Sequence, residues 1–170
     1  MPIPQDAERW VRLFERLQHF YLRWCDGKFI DAALENVENL PQWKMKQLQE
    51  QLPERDTLLG LRQVDVYTGL NVMIVLFELH RYGQGNDELK DRISFHPCGI
   101  PGTAEFDEQR LLDIYGYSQC LDADSSWQIL GYFLSGADFS GADLSNTVLN
   151  NLNFTDVDFS GADLSIAVLT

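Results

Sequence analysis

Every fifth residue from Leu134 to Leu169 is leucine or phenylalanine: Leu134, Phe139, Leu144, Leu149, Phe154, Phe159, Leu164 and Leu169. These two residue types make up about a fifth of the chain, so eight successive hits would arise by chance about once in a few hundred thousand trials. Five is the period of neither a helix nor a strand. A chain that keeps it must turn in every unit, and the intervening Gly, Ser, Asn and Asp are the residues that turn. The residue after each centre is small and polar: Ser135, Ser140, Ser145, Asn150, Thr155, Ser160, Ser165 and Thr170. Two places before the centre stand Ala137, Ala142, Thr147, Leu152, Val157, Ala162 and Ala167.

With Ser-Gly-Ala-Asp-Phe/Leu at 135–139, 140–144 and 160–164, the segment 132–170 resembles the pentapeptide-repeat family. The resemblance implies a right-handed quadrilateral β-helix with four units per coil, the centre and the small residue two places earlier pointing inward. The fold class expected for the whole chain is therefore α+β: a helical domain over 1–118, a connector over 119–131, and a β-helix of about two coils over 132–170. Four units per coil put residues 20 apart in register, Asp138 over Asp158 and Asp143 over Asp163. The units around Leu149 and Phe154 lack the Ala-Asp pair, and the larger Leu152 and Val157 predict a local distortion.

Charge is unevenly spread. The net charge is −13, and residues 111–170 hold 8 acids and no Lys or Arg. That balance disfavours direct nucleic-acid binding, which needs cations to displace counterions from phosphates. Three cysteines, Cys25, Cys98 and Cys120, show no CxxC spacing and suit a reducing compartment. The N-terminus lacks a basic region followed by an apolar run. The most apolar stretch, 70–77, is too short to cross a bilayer. These features predict a cytoplasmic protein with no membrane partner.

Upstream of the repeat the pattern is helical. Trp10, Leu13, Phe14, Leu17, Phe20, Tyr21 and Trp24 share one face of a helix over 6–25. Helices are expected over 28–39 and 42–52. The most apolar helix spans 54–82, with Gly60 or Gly69 as a breakpoint and a strand over 72–77 as the alternative reading. A short helix over 87–94 and another over 104–115 follow. Trp127, Ile129 and Leu130 are expected to pack on the first coil, and the helical domain to cap its N-terminal end.

Several residues are candidates for chemistry. Arg9, Arg12, Arg16, His19 and Arg23 flank the apolar face of the first helix and could meet an anion, or form a solvated stripe. Asp138, Asp143, Asp158 and Asp163 could form a cation ladder or a solvated acidic wall. His96 and Cys98 share a Pro/Gly-stiffened loop, with His80 and Cys120 elsewhere. Their spacing matches neither a zinc site nor a Cys–His nucleophile pair well. No cofactor, metal or catalytic residue is assigned.

Three functions are weighed on this basis. The first is a non-enzymatic protein-interaction or scaffold module built on the repeat solenoid, with an unknown protein partner. The second is an acidic DNA mimic that inhibits an enzyme such as gyrase, as the resemblance suggests; two coils span only roughly three base-pair steps. The third is an enzyme or small-molecule binder in the helical domain that uses the His96–Cys98 loop. The solenoid core row from Leu134 to Leu169 ends with no visible cap, which predicts either a homodimer through that last coil or a longer solenoid of which this chain is a part.

Overall fold

Two antiparallel helices frame the molecule. In the computed structural model, which describes residues 5–27, 56–121 and 125–169, α1 spans Gln5–Cys25 and α2 spans Asp56–Gln84. Trp10 lies beside Tyr82, with ring centroids 5.7 Å apart, whereas Trp24 lies over Gly69, so the two helices run in opposite directions. The helices expected over 28–39 and 42–52 fall outside the described residues.

The buried stripe of α1 is rotated from the one its largest residues suggest. Ala7, Val11, Phe14, Tyr21, Trp24 and Cys25 are buried, whereas Trp10 and Leu13 stay exposed. Helix α2 is continuous through Gly60 and Gly69, and 72–77 is helix rather than strand. Its buried residues, Val66, Leu70, Met73, Leu76, Phe77 and His80, follow helical spacing, and Val64, Tyr67 and Val75 face outward. Residues 87–92 form turns rather than the expected helix; both Leu89 and Lys90 donate to the Asn86 carbonyl. The next helix begins later than expected, as α3, Arg110–Ser118. A short α4, Ser125–Leu130, and a 3-10 turn, Gly131–Phe133, lead into the repeat.

The repeat is two stacked layers of turns, about 134–153 and 154–169. Each pentapeptide turns two residues after its centre, at Gly136, Gly141, Asn146, Asn151, Asp156, Gly161 and Ile166, all with left-handed φ between 56° and 71°. Glycine, asparagine and aspartate suit that region; the β-branched Ile166 does not, and is held there at a cost of roughly 1–2 kcal/mol. The layers meet in the register the period implies. Single parallel bridges join Asp138 to Asp158, Asp143 to Asp163 and Val148 to Val168. Phe139 N donates to Asp158 O at 2.8 Å, and Asp158 N returns to Ala137 O at 3.0 Å.

The expected fold class is corrected at this point. Among the described residues there is no β-strand, sheet or barrel, so the chain is helical with a turn-layered repeat rather than α+β with a quadrilateral β-helix. The reason is local. Each unit leaves one residue in bridging position before the next turn starts, too few for a strand.

The helical part covers the outer edge of the first layer. Asp143 N donates to Glu108 O at 2.9 Å, and the Arg81 guanidinium donates to Phe133 O at 3.1 Å and Ser135 O at 3.0 Å. Buried residues of helices and first layer form one cluster, to which Trp127 and Leu130 belong. Aromatic contacts run through it from Tyr21 to Phe95 (5.1 Å), Phe77 (5.2 Å), Phe139 (6.2 Å) and Phe159 (5.8 Å). The larger Leu152 is accommodated because Gly131 has no side chain: a Cβ there would sit 2.6 Å from Leu152 Cδ2.

Candidate functional site

The loop after α2 and the first turn layer bring polar side chains together at one junction. Ser94 Oγ lies 2.9 Å from His96 Nε2, and His96 Nδ1 lies 2.9 Å from Asp138 Oδ2. The second contact has ion-pair distance, but the ring N–H is not aligned with the carboxylate as a hydrogen bond. Beside it, buried His80 accepts a hydrogen bond at Nδ1 from Phe95 N at 3.0 Å, with its ring 6.4 Å from that of His96. The sequence offers no signal that Asp138 belongs with His96, because only the fold brings the repeat onto this loop.

His80 couples the junction to pH. Burial, then His96 and Arg81, hold its pKa below the usual histidine value, against the opposing pull of Asp138. A proton on Nδ1 would also displace the Phe95 N–H. Since the folded pKa is below the unfolded one, the unfolded chain binds more protons. Stability from this site is complete above the unfolded value of about 6.5 and is lost as pH falls below it. Denaturant midpoints measured on both sides of that value should drop on the acid side. His80→Asn, whose amide oxygen can accept the Phe95 N–H without titrating, should flatten the dependence.

The environment of Cys98 disfavours the thiolate that a nucleophile needs. The residue is buried, and burial pushes its thiol up to about 12, as it does that of Cys25. The Pro97 carbonyl next to it accepts from Tyr21 Oη and from Arg110, both at 3.0 Å, which fixes the loop as a packing element. No group of metal-ligating side chains occurs among the described residues. The expected helical-domain enzyme or small-molecule binder built on His96 and Cys98 gains no support from this geometry: the two lie in one loop, but the Cys98 side chain is buried.

The aspartates of the repeat are spent on turns. Oδ1 of Asp138, Asp143, Asp158 and Asp163 accepts the backbone N–H of Ser140, Ser145, Ser160 and Ser165, at 2.8–2.9 Å. Hydrogen bonds from Ser145 lower the pKa of Asp143, and those from Ser160 lower that of Asp158. Asp143 Oδ2 also takes a bond from Gln109 Nε2 at 2.6 Å. On α1, Arg9, Arg12, Arg16 and His19 are exposed and Arg23 is half-buried, spread along the helix rather than converging.

The repeat's core row divides between the layers. Leu134, Phe139, Leu144 and Leu149 are buried; Phe154, Phe159 and Leu164 are half-buried, and Leu169 is 51% exposed. The bridging pattern turns Asp158 and Asp163 toward the first layer. By that alternation Phe159 N–H, Leu164 N–H and the carbonyls of Val157 and Ala162 face the opposite way, beside the half-exposed row.

The pentapeptide-repeat family model matches residues 134–170, the C-terminal segment, in eight copies. No curated protein and no solved structure matches the chain. A function carried by a β-helical solenoid, whether as an interaction scaffold or as a DNA mimic, is corrected together with the fold class, since the described residues contain no such solenoid. No helix among the described residues is long and apolar enough to cross a membrane.

Proposed function

We propose that this chain is a non-enzymatic cytoplasmic protein that pairs with a second copy of itself through the outer face of its second turn layer. The observation that carries this reading is the contrast between the layers: the first core row is buried, and the second is half-exposed. The second layer turns backbone donors and acceptors outward on the same face as that apolar row. A face carrying both is complementary to itself under a two-fold axis. The bridging aspartates sit at the sides, their carboxylates tied to turn N–H groups, so two such faces can meet without opposing charges at the centre. Three cysteines outside any disulfide support a reducing compartment.

Sedimentation velocity from micromolar to near-millimolar concentration should show a concentration-dependent dimer. Leu164→Asp, placed in the half-exposed row, should weaken association at least ~30-fold while leaving the helical circular dichroism unchanged. A monomer throughout that range, or a dimer indifferent to Leu164→Asp, contradicts the reading.

A further inference from the structure

His80 fastens the loop between α2 and α3 with a hydrogen bond that only an unprotonated Nδ1 can accept. Phe95 N donates to that atom at 3.0 Å, and His80 is 8% exposed. A histidinium carries an N–H on both ring nitrogens. Protonating Nδ1 would set two donors face to face, so the bond is lost rather than weakened. It fastens the middle of a three-residue segment. Phe95 is fully buried, and its ring packs on Tyr21 of α1 at 5.1 Å and on Phe77 of α2 at 5.2 Å. Ser94 stands on one side of it and His96 on the other, and His96 Nδ1 lies 2.9 Å from Oδ2 of Asp138 in the first turn layer. The far end of the loop is tied by other groups, since the Pro97 carbonyl accepts from Tyr21 Oη and from Arg110.

We propose that His80 is an acid-sensitive latch: uptake of a proton at Nδ1 releases the segment 94–96 from α2 and opens the polar junction between the helices and the repeat, while the two long helices stay folded. Three charged or titratable groups face the ring, one from each element packed there. Arg81 on the same helix and His96 on the loop oppose a positive charge, and Asp138 on the repeat favours one. Burial opposes it most. The closed junction therefore admits the proton poorly, and the open one admits it at the ordinary histidine value of about 6.5. Each pH unit below that value shifts the balance toward the open form by about tenfold, until the closed form also takes the proton. Opening carries His96 away from Asp138, with the Pro97 carbonyl as the pivot. A proton taken up only on global unfolding would loosen every buried amide alike, whereas a latch loosens Phe95 first.

The test is amide hydrogen exchange of the full chain, followed by NMR between about pH 7.5 and about pH 5, with each rate divided by that of an unstructured peptide. Opening at Phe95 should grow at least ~10-fold across that range. At the acid end the Phe95 amide should be at least ~10-fold less protected than those of Leu70 and Met73, which are buried on α2, and its opening should not respond to low urea. His80→Asn keeps an acceptor for the Phe95 N–H and does not titrate, so it should abolish the pH dependence at Phe95. If that variant fails to fold, the carbon-13 shift of the His80 ring decides: protonation in step with Phe95 opening supports the latch, and protonation without it overturns the latch. Equal protection at Phe95, Leu70 and Met73, opening at Phe95 that is indifferent to pH, or a pH dependence that survives His80→Asn also overturns it.

Discussion

Gly69→Ala should destabilise the chain by about 2 kcal/mol or more, although alanine is the better helix former by roughly 1 kcal/mol. Gly69 is buried on α2 where the indole of Trp24 crosses it. A Cβ at this position would sit 2.0 Å from Cε2 and 2.4 Å from both Cδ2 and Cζ2 of that ring. The ring has little room to retreat. Trp24 is 2% exposed and is packed against Tyr21 and Tyr117, each with centroids 6.4 Å away. Relief therefore requires α1 and α2 to move apart, which loosens the contact that orders the helical core. Gly116, in the last turn of α3, is the control. Nothing lies within 4 Å of a Cβ added there, so Gly116→Ala should raise stability by roughly 0.5–1 kcal/mol through helix propensity alone. Urea midpoints of the two variants should move in opposite directions. A neutral Gly69→Ala would show that the α1–α2 crossing tolerates expansion.

The Gly69–Trp24 fit shows where a single sequence stops being informative. A glycine within an apolar helical pattern reads as a breakpoint, because nothing in its neighbours reveals a tryptophan 45 positions away pressing on it. On α1, periodicity places the helix, but the large Trp10 and Leu13 pull the expected apolar face off the buried one. The small Ala7 and Val11, which permit close approach, mark the true face. In the repeat the period reveals more. It sets which residues pair across layers and which take left-handed φ, since both follow from counting. It does not reveal how many residues of each unit extend, and this left the strand content wrong. At the polar junction His96 is visible as a candidate, whereas its contact with Asp138 depends on how the repeat docks.

Phe139→Ala should cost about 3–5 kcal/mol, and Phe159→Ala, one layer further out, distinctly less. The two residues occupy equivalent repeat positions 20 apart, so chemistry and local backbone are matched, and only their surroundings differ. Phe139 is fully buried between Phe77 of α2, at 6.2 Å, and Phe159, at 5.8 Å. Its removal leaves a cavity bounded by helix on one side and turn layer on the other, and neither wall can collapse without breaking inter-layer or Arg81 hydrogen bonds. Phe159 is half-exposed, and water can refill much of the space that its ring leaves. The same substitution also tests cooperativity. Because Phe139 belongs to the cluster that contains α1, α2 and the first layer, its loss should lower the midpoint of the helical far-ultraviolet signal and of the aromatic near-ultraviolet signal together. If the aromatic signal melts early while the helical signal keeps its original midpoint, the repeat is a separate unit resting on a helical core that folds without it.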